Sequence, residues 1–135
     1  MDISLILRSP NVNYPIQISF LNVESSAAVE QMVRQSTERL SRFYPRIASI
    51  NVAIEMPHKS HHSGNIFQVR IDISVPGQTI SVETKSDNHE EYQDVYVAIR
   101  DAFLMARRRL EDYAKRKLDA PKVQAHRDNL IENAL

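Results

Sequence analysis

Four side chains that can bind a metal ion or transfer protons lie within residues 58–62: His58, Lys59, His61 and His62. Clustered histidines suggest a metal site, for which His89 offers a more distant ligand. The segment from 58 to 64 contains no Asp, Glu or Cys, however, and adjacent histidines seldom point at one ion. We therefore expect no metal here. The segment is typical of a polar loop whose histidines gain positive charge below neutral pH.

Other catalytic patterns are missing from the sequence. It has no cysteine, no nucleophile elbow, no HExxH motif and no pair of carboxylates whose convergence can be argued. Its two glycines, Gly64 and Gly77, cannot build a phosphate-binding loop. We expect a protein that is not an enzyme and that needs no cofactor. Metal-dependent hydrolysis at the histidine segment is the weakest of the alternatives.

Arginines and lysines are the second group of residues that could do chemistry. Over 135 residues, 17 basic side chains balance 17 acidic ones, and zero net charge argues at first against a nucleic-acid partner. The balance hides a sorting along the chain. Residues 34–46 hold four arginines against Glu38, residues 83–94 hold five acids against Lys85, and residues 100–118 hold seven basic residues against three acids. A helix dipole also favours acids before a helix and bases at its end, so the pattern has a purely structural explanation as well.

The strands that must position these side chains follow from the hydrophobic period. Apolar and polar residues alternate in four short segments, which predicts strands at residues 16–20, 50–56, 67–75 and 80–82. The dipeptide Pro76-Gly77 separates the last two segments and predicts a hairpin turn, because glycine accepts a positive φ.

Two further segments have the helical period of 3.6 residues. Ser25 or Ser26 can cap the first helix, and Pro45 fits a chain leaving it, because a proline ring disfavours helical geometry in the preceding residue. The second helix is the longest element and runs from about Asp94 to Leu118.

The order β-α-β-β-β-α predicts an α+β domain in which two helices pack on one face of a four-stranded mixed sheet. The first two strands should be parallel, since a helix connects them, and the last three should form an antiparallel meander. We place this domain at residues 15–118, between an N-terminal extension (1–14, in which residues 3–7 offer an edge strand) and a C-terminal tail or short helix (119–135). No apolar run reaches the roughly 18 residues of a membrane span and no signal peptide is present, so we expect a cytoplasmic protein.

Several stretches of the sequence resemble one protein family. They are residues 23–47, the run VPGQTI at residues 75–80, and the run DVYVAI at residues 94–99, which is similar to the acid-x-Tyr-Ala-Ala-Ile opening of the family's final helix. This family is the ribosome hibernation promoting factors, also called sigma 54 modulation or ribosomal subunit interface proteins. The segments 61–64, 69–73 and 107–113 are closer to a subgroup in which some members continue into a cold-shock domain. The chain stops at Leu135, about where that domain would begin, and so resembles a stand-alone version.

The resemblance implies a non-enzymatic protein that docks on the small ribosomal subunit. In the family this site overlaps the path of mRNA and tRNA, so binding blocks translation in idle ribosomes. Such docking requires a rigid body that presents Lys and Arg to rRNA phosphates, and counterion release then supplies salt-dependent affinity. Double-helical RNA is read mostly by shape, so no sequence-reading motif is needed.

The family's basic positions match this chain only in part. On the first helix the match is Arg39, and on the last helix the matches are Arg108 and Arg116, whereas Met105 and Asp112 stand where better-known members often carry Lys. The predicted RNA-binding residues are Arg39, Arg42, Arg46, Arg70, Lys85, Arg100, Arg107, Arg108, Lys115 and Arg116. Candidates for loop contacts with RNA are His58, Lys59, His61 and His62.

A second hypothesis belongs to a different class of function. A small protein–protein interaction module would use the polar, open sheet face to form a homodimer or, as the sigma 54 label implies, to regulate a transcription factor. Whatever the function, Arg70 on that face also has a purely structural interpretation, pairing across strands with Glu55 or Glu83. Salt-sensitive co-sedimentation with small ribosomal subunits distinguishes the two hypotheses.

Overall fold

The computed structural model describes residues 2–57, 66–84 and 90–134. Within them the elements follow in the order β1 (Ile3–Ser9), β2 (Val12–Leu21), α1 (Ala27–Phe43), β3 (Ser49–Glu55), β4 (Gln68–Val75), β5 (Gln78–Glu83) and α2 (Val95–Ala134), with a short 3₁₀ turn at Glu90–Gln93. Five of the predicted contact residues lie outside the described residues: His58, Lys59, His61, His62 and Lys85.

The strands form one mixed sheet in which spatial order equals chain order. β2 and β3 are parallel, and the other neighbouring pairs are antiparallel. The predicted parallel pair and meander are confirmed, but the prediction of four strands is wrong because β1 pairs with β2 and makes a fifth. Its sequence signal is weak because Ile6, which is 67% exposed on the open sheet face, interrupts the alternation of apolar and polar residues.

Alternate residues of the strands form the core on one face of the sheet, and both helices cover that face. β2 contributes Ile16, Ile18 and Phe20, all fully buried, and the neighbouring strands continue the same rows. α1 packs over β1 and β2, whereas α2 packs over β4 and β5. Buried alanines on α2 allow a close approach to the sheet: Ala98, Ala102 and Ala106. The predicted α+β architecture is therefore confirmed.

The ends of α1 show why the helix has these bounds. The Ser26 side chain accepts a hydrogen bond from the Val29 N–H at 3.3 Å and so caps the N-terminus of α1. Of the two predicted caps, Ser25 and Ser26, the structure selects Ser26. The helix ends at Phe43, before Pro45. The predicted RNA-binding residue Arg46 therefore lies beyond the helix, where helical spacing does not relate it to Arg39 and Arg42.

The helix α2 is longer than its sequence predicts. It continues to Ala134 rather than ending near Leu118, so it runs through the segment expected to form a tail or a separate short helix. Pro121 lies within this helix, although proline removes a hydrogen-bond donor and costs about 3 kcal/mol in a helix interior. Among the helices that the structure describes, none combines the length and apolar character needed to cross a membrane.

Candidate nucleic-acid interface

Two tyrosines fix the relative position of the helices at one end of the domain. The rings of Tyr44, just after α1, and Tyr113, in α2, meet edge to face with centroids 5.6 Å apart. The Tyr113 hydroxyl donates a hydrogen bond to the Pro76 carbonyl oxygen at 2.7 Å, in the turn between β4 and β5. Burial raises the pKa of Tyr44, and a hydrogen bond to Tyr113 adds to the rise. These contacts tie α1, α2 and the sheet into one rigid unit.

The other side of α1 is tied to the first hairpin. The Ser9 hydroxyl donates to the Glu38 carboxylate, and Tyr14 and Ser41 hydrogen bond through their hydroxyl groups. The Ser9 hydrogen bond is the main reason why the pKa of Glu38 is lowered from its ordinary value, and Arg42 also contributes. Glu38 therefore stays ionised and directed towards β1, away from α2.

Between the two helices lies a groove of about 200 Å³, which we call the interhelical groove. Its apolar walls come from Met32 and Leu40 on α1 and from Phe103 and Leu104 on α2, and Ser36 adds one hydroxyl group. Its rim consists of three arginines from the predicted set: Arg39, Arg100 and Arg107. The structure thus brings basic side chains from the two helices to a single surface.

The rim arginines have only weak attachments to the protein. Arg107 lies 5.1 Å from the centroid of the Phe43 ring and forms an exposed ion pair with Glu111 at 3.4 Å. Arg100 pairs with its neighbour Asp101 at 3.1 Å. Exposed pairs of this kind contribute about 0–1 kcal/mol, so an incoming phosphate can replace the carboxylate at little cost. Arg39 forms no ion pair with any residue that the structure describes.

Three more of the predicted cations lie on the solvent side of the helices. Arg42, Arg108 and Lys115 are exposed. At 100° per residue, Arg108 and Lys115 lie about 180° from the buried stripe of α2, so they extend the basic surface outward from the groove. Together with the rim arginines they form the helical basic face: Arg39, Arg42, Arg100, Arg107, Arg108 and Lys115.

Arg116 does not join this face. It lies with Arg109 on the opposite flank of α2, where both line a shallow cleft along the edge of β5. Arg109 donates to the Ser81 carbonyl oxygen at 3.5 Å. The predicted α2 cations are therefore divided between two flanks of the helix, because positions 107 and 116 lie about 180° apart on a helix.

Arg70 lies on the opposite side of the molecule from the helical basic face. It lies on the open face of the sheet, where its Nε atom is 3.2 Å from Asp72 Oδ1. Asp72 Oδ1 also accepts a hydrogen bond from the Ser81 hydroxyl at 2.6 Å. Glu83 lies directly across from Arg70 in the register of β4 and β5, as one of the two expected partners would, but the ion pair of Arg70 is with Asp72. The Glu83 carboxylate instead accepts a hydrogen bond from Gln68.

Sequence reasoning missed the apolar half of this surface. Leu104 is 49% exposed and Phe43 is 39% exposed, and both lie beside the rim arginines. In the sequence, Leu104 is a large apolar residue that falls outside the apolar stripe of α2. This position could have indicated that Leu104 belongs to an exposed binding surface. Among the residues that the structure describes, no three His, Cys, Asp or Glu side chains are grouped as metal ligands would be.

The fold and the site together place the chain in a class of small α+β domains. In this class two helices cover one face of a mixed sheet and present a basic surface, and the other sheet face is polar. The sequence profile of one family matches residues 16–118, and the chain belongs to that family, the sigma 54 modulation protein / S30EA ribosomal protein family. No curated protein sequence matches the chain.

Two solved structures have the same fold. A ribosomal subunit interface protein from Coxiella burnetii is 19% identical, with a TM-score of 0.60 over 74% of this chain and 97% of that one. The N-terminal domain of Protein Y from Thermus thermophilus is 20% identical, with a TM-score of 0.54 over 70% of this chain and 93% of that one. At these identities the likeness concerns the fold.

Proposed function

We propose that this protein is a ribosome-associated translation inhibitor, a hibernation factor that binds the small ribosomal subunit through its helical basic face. The observation that carries the proposal is the convergence of Arg39, Arg100 and Arg107, from two helices, on one surface. Family membership supports it, and so does the fold shared with a ribosomal subunit interface protein. Binding at the decoding region would exclude mRNA and tRNA without any chemical step.

The charge distribution determines how such binding would work. The acids and bases of the chain balance, so long-range attraction to RNA is weak. Affinity must then come from short-range contacts between exposed arginines and phosphates on a rigid surface of matching shape, and counterion release makes it salt dependent. We therefore expect strong selectivity for the folded ribosomal site over free RNA.

The test is co-sedimentation of the purified chain with small ribosomal subunits at low and high salt. We expect binding that high salt removes, and its loss in the Arg39→Glu/Arg107→Glu double variant. The matched control is Arg8→Glu/Arg70→Glu, which changes the net charge equally but alters exposed residues on the open side of the sheet. If the chain does not sediment with subunits at low salt, the proposal fails. Equal loss in both double variants would contradict the assignment of the face.

The alternative function, a homodimer or a protein–protein module built on the open sheet face, has one observation in its favour. Ile6 is a large apolar side chain exposed on that face. Its surroundings are polar and already hydrogen bonded, as in the pair Ser4–Ser19 and the group formed by Arg70, Asp72 and Ser81. Sedimentation equilibrium tests it: a dimer that dissociates on Ile6→Ser substitution would favour this function.

A further inference from the structure

We infer that the interhelical groove accepts one unpaired RNA nucleobase, with the adjoining phosphates bound by the rim arginines. This inference rests on the proposed function and specifies the form of RNA that the helical basic face recognises. A duplex backbone would need only the cations of the rim. The apolar walls between those cations favour a ligand with both an apolar surface and negative charge, and an unpaired nucleotide has both.

The size of the groove fits a single ring system. Sites for drug-sized ligands occupy about 300–1,000 Å³, whereas this groove measures about 200 Å³. A docked amphipathic helix would need a longer groove, because its anchor residues repeat over several turns. The groove is therefore too short for a helix and has the right scale for one base.

The side chains of the groove match the ways in which unpaired bases are bound. Bases that leave a stack are held between apolar or aromatic side chains and the planes of Arg guanidinium groups. Here Met32 and Leu104 offer apolar surface from opposite helices, and Arg39 and Arg107 stand on opposite walls. The guanidinium of Arg107 already lies over an aromatic ring, that of Phe43, at 5.1 Å. Ser36 supplies a hydroxyl group for the edge of the base.

Exposure of the apolar residues points in the same direction. Leu104 is half exposed at the centre of a basic surface, where a face that binds only phosphates would carry a polar residue. A base that covers it removes apolar area from water and leaves the charged rim free for phosphates. Stacking of one base contributes about 1–3 kcal/mol in single-strand binding proteins, which corresponds to about a 5- to 150-fold change in affinity.

The experiment compares a short single-stranded adenosine RNA with an RNA of the same length that carries an abasic ribose at every position, at low salt. Fluorescence anisotropy measures affinity for the full chain, and the methyl resonance of Met32 reports occupation of the groove. We expect the abasic RNA to bind the unaltered protein at least about 5-fold more weakly. In the Leu104→Ser variant the two RNAs should bind equally, whereas Ile6→Ser, an exposed aliphatic residue on the opposite face, should keep the difference.

Each other outcome overturns the inference. Equal affinity of the unaltered protein for both RNAs, or no binding of either, excludes a base in the groove. An acidic amphipathic peptide that displaces RNA and shifts Met32, without any dependence on the base, would assign the groove to a protein partner. Co-sedimentation with small subunits is unaffected by these outcomes, so failure of this inference and failure of the proposed function are distinguishable. Thermal unfolding of the Leu104→Ser variant checks that the fold persists.

Discussion

Removal of Arg107 gives the sharpest test of the helical basic face. Arg107→Ala deletes a rim cation, whereas Arg109→Ala deletes the same side chain two positions further along α2, on the flank that faces β5. Both substitutions have the same intrinsic effect on the helix and on net charge. The difference between them therefore isolates the position of the cation.

The magnitude follows from counterion release. Each phosphate contact contributes about −0.7 to −0.9 to the slope of the logarithm of the binding constant against the logarithm of salt concentration. Loss of the Arg107 contact should make the slope shallower by that amount. When the salt concentration rises fourfold, the affinity of the variant should therefore fall by a factor about 3-fold smaller than that of the unaltered protein. Arg109→Ala should leave the slope unchanged, because its guanidinium is directed at the Ser81 carbonyl oxygen at the sheet edge.

The assay is binding of each variant to purified small ribosomal subunits over a series of salt concentrations. Thermal unfolding serves as the control, because Arg107 also contacts the Phe43 ring, and a cation–π contact at an exposed site contributes about 0.5–1 kcal/mol. Equal slopes for the two variants would refute the reasoning. A shallower slope for Arg109→Ala alone would move the interface to the β5 flank.

Four further predictions concern single side chains. Glu111→Gln should strengthen subunit binding by about 2- to 5-fold at low salt, since the exposed pair with Arg107 at 3.4 Å competes with phosphate, and weaker binding would contradict this competition. Ser26→Ala should lower the free energy of unfolding by about 1 kcal/mol in denaturant titrations, because Val29 N–H loses its cap; Ser25→Ala is the control. Tyr113→Phe removes the hydrogen bonds of the Tyr113 hydroxyl with the Pro76 carbonyl oxygen and with Tyr44, and should cost about 0.5–1.5 kcal/mol for each; an unchanged melting temperature would show that neither bond stabilises the domain. Ser9→Ala should raise the pKa of Glu38, which an NMR titration would measure. A lowered carboxyl pKa stabilises the fold above the ordinary pKa, and this contribution disappears as the pH falls through the folded-state pKa. The variant should therefore be less stable at neutral pH and lose less additional stability on acidification.

Most of the fold could be predicted because its local patterns agree with its long-range pairings. Strict alternation from Ile16 to Phe20 and over β3 and β4 matches the buried rows, and the Pro76-Gly77 turn has Gly77 at φ 86°. The predictions fail where the local sequence pattern disagrees with the observed secondary structure. Ile6 breaks the alternation in β1, and Pro121 lies within α2 instead of ending it.

The candidate site was less predictable because it depends on packing between helices. Arg100 and Arg107 are seven residues apart, a spacing that puts them on the same side of a helix, and the structure places both on the rim of one groove. Spacing does not show which flank of α2 faces α1, so the predicted set includes Arg116 although this residue lies on the flank that faces β5. The apolar walls of the groove were missed for the same reason, since Met32 and Leu104 become neighbours only when the two helices pack.

The two walls of the interhelical groove come from opposite halves of the chain, and this has a consequence for folding. The wall from α1 ends at Leu40 and the wall from α2 begins at Phe103, with β3, β4 and β5 between them in the chain. No local segment, not even a formed α1 or a formed hairpin, contains the groove. The groove therefore exists only in molecules whose chain topology is complete. Occupancy of the groove should report the fraction of folded molecules, and partly folded chains should not compete for the ligand.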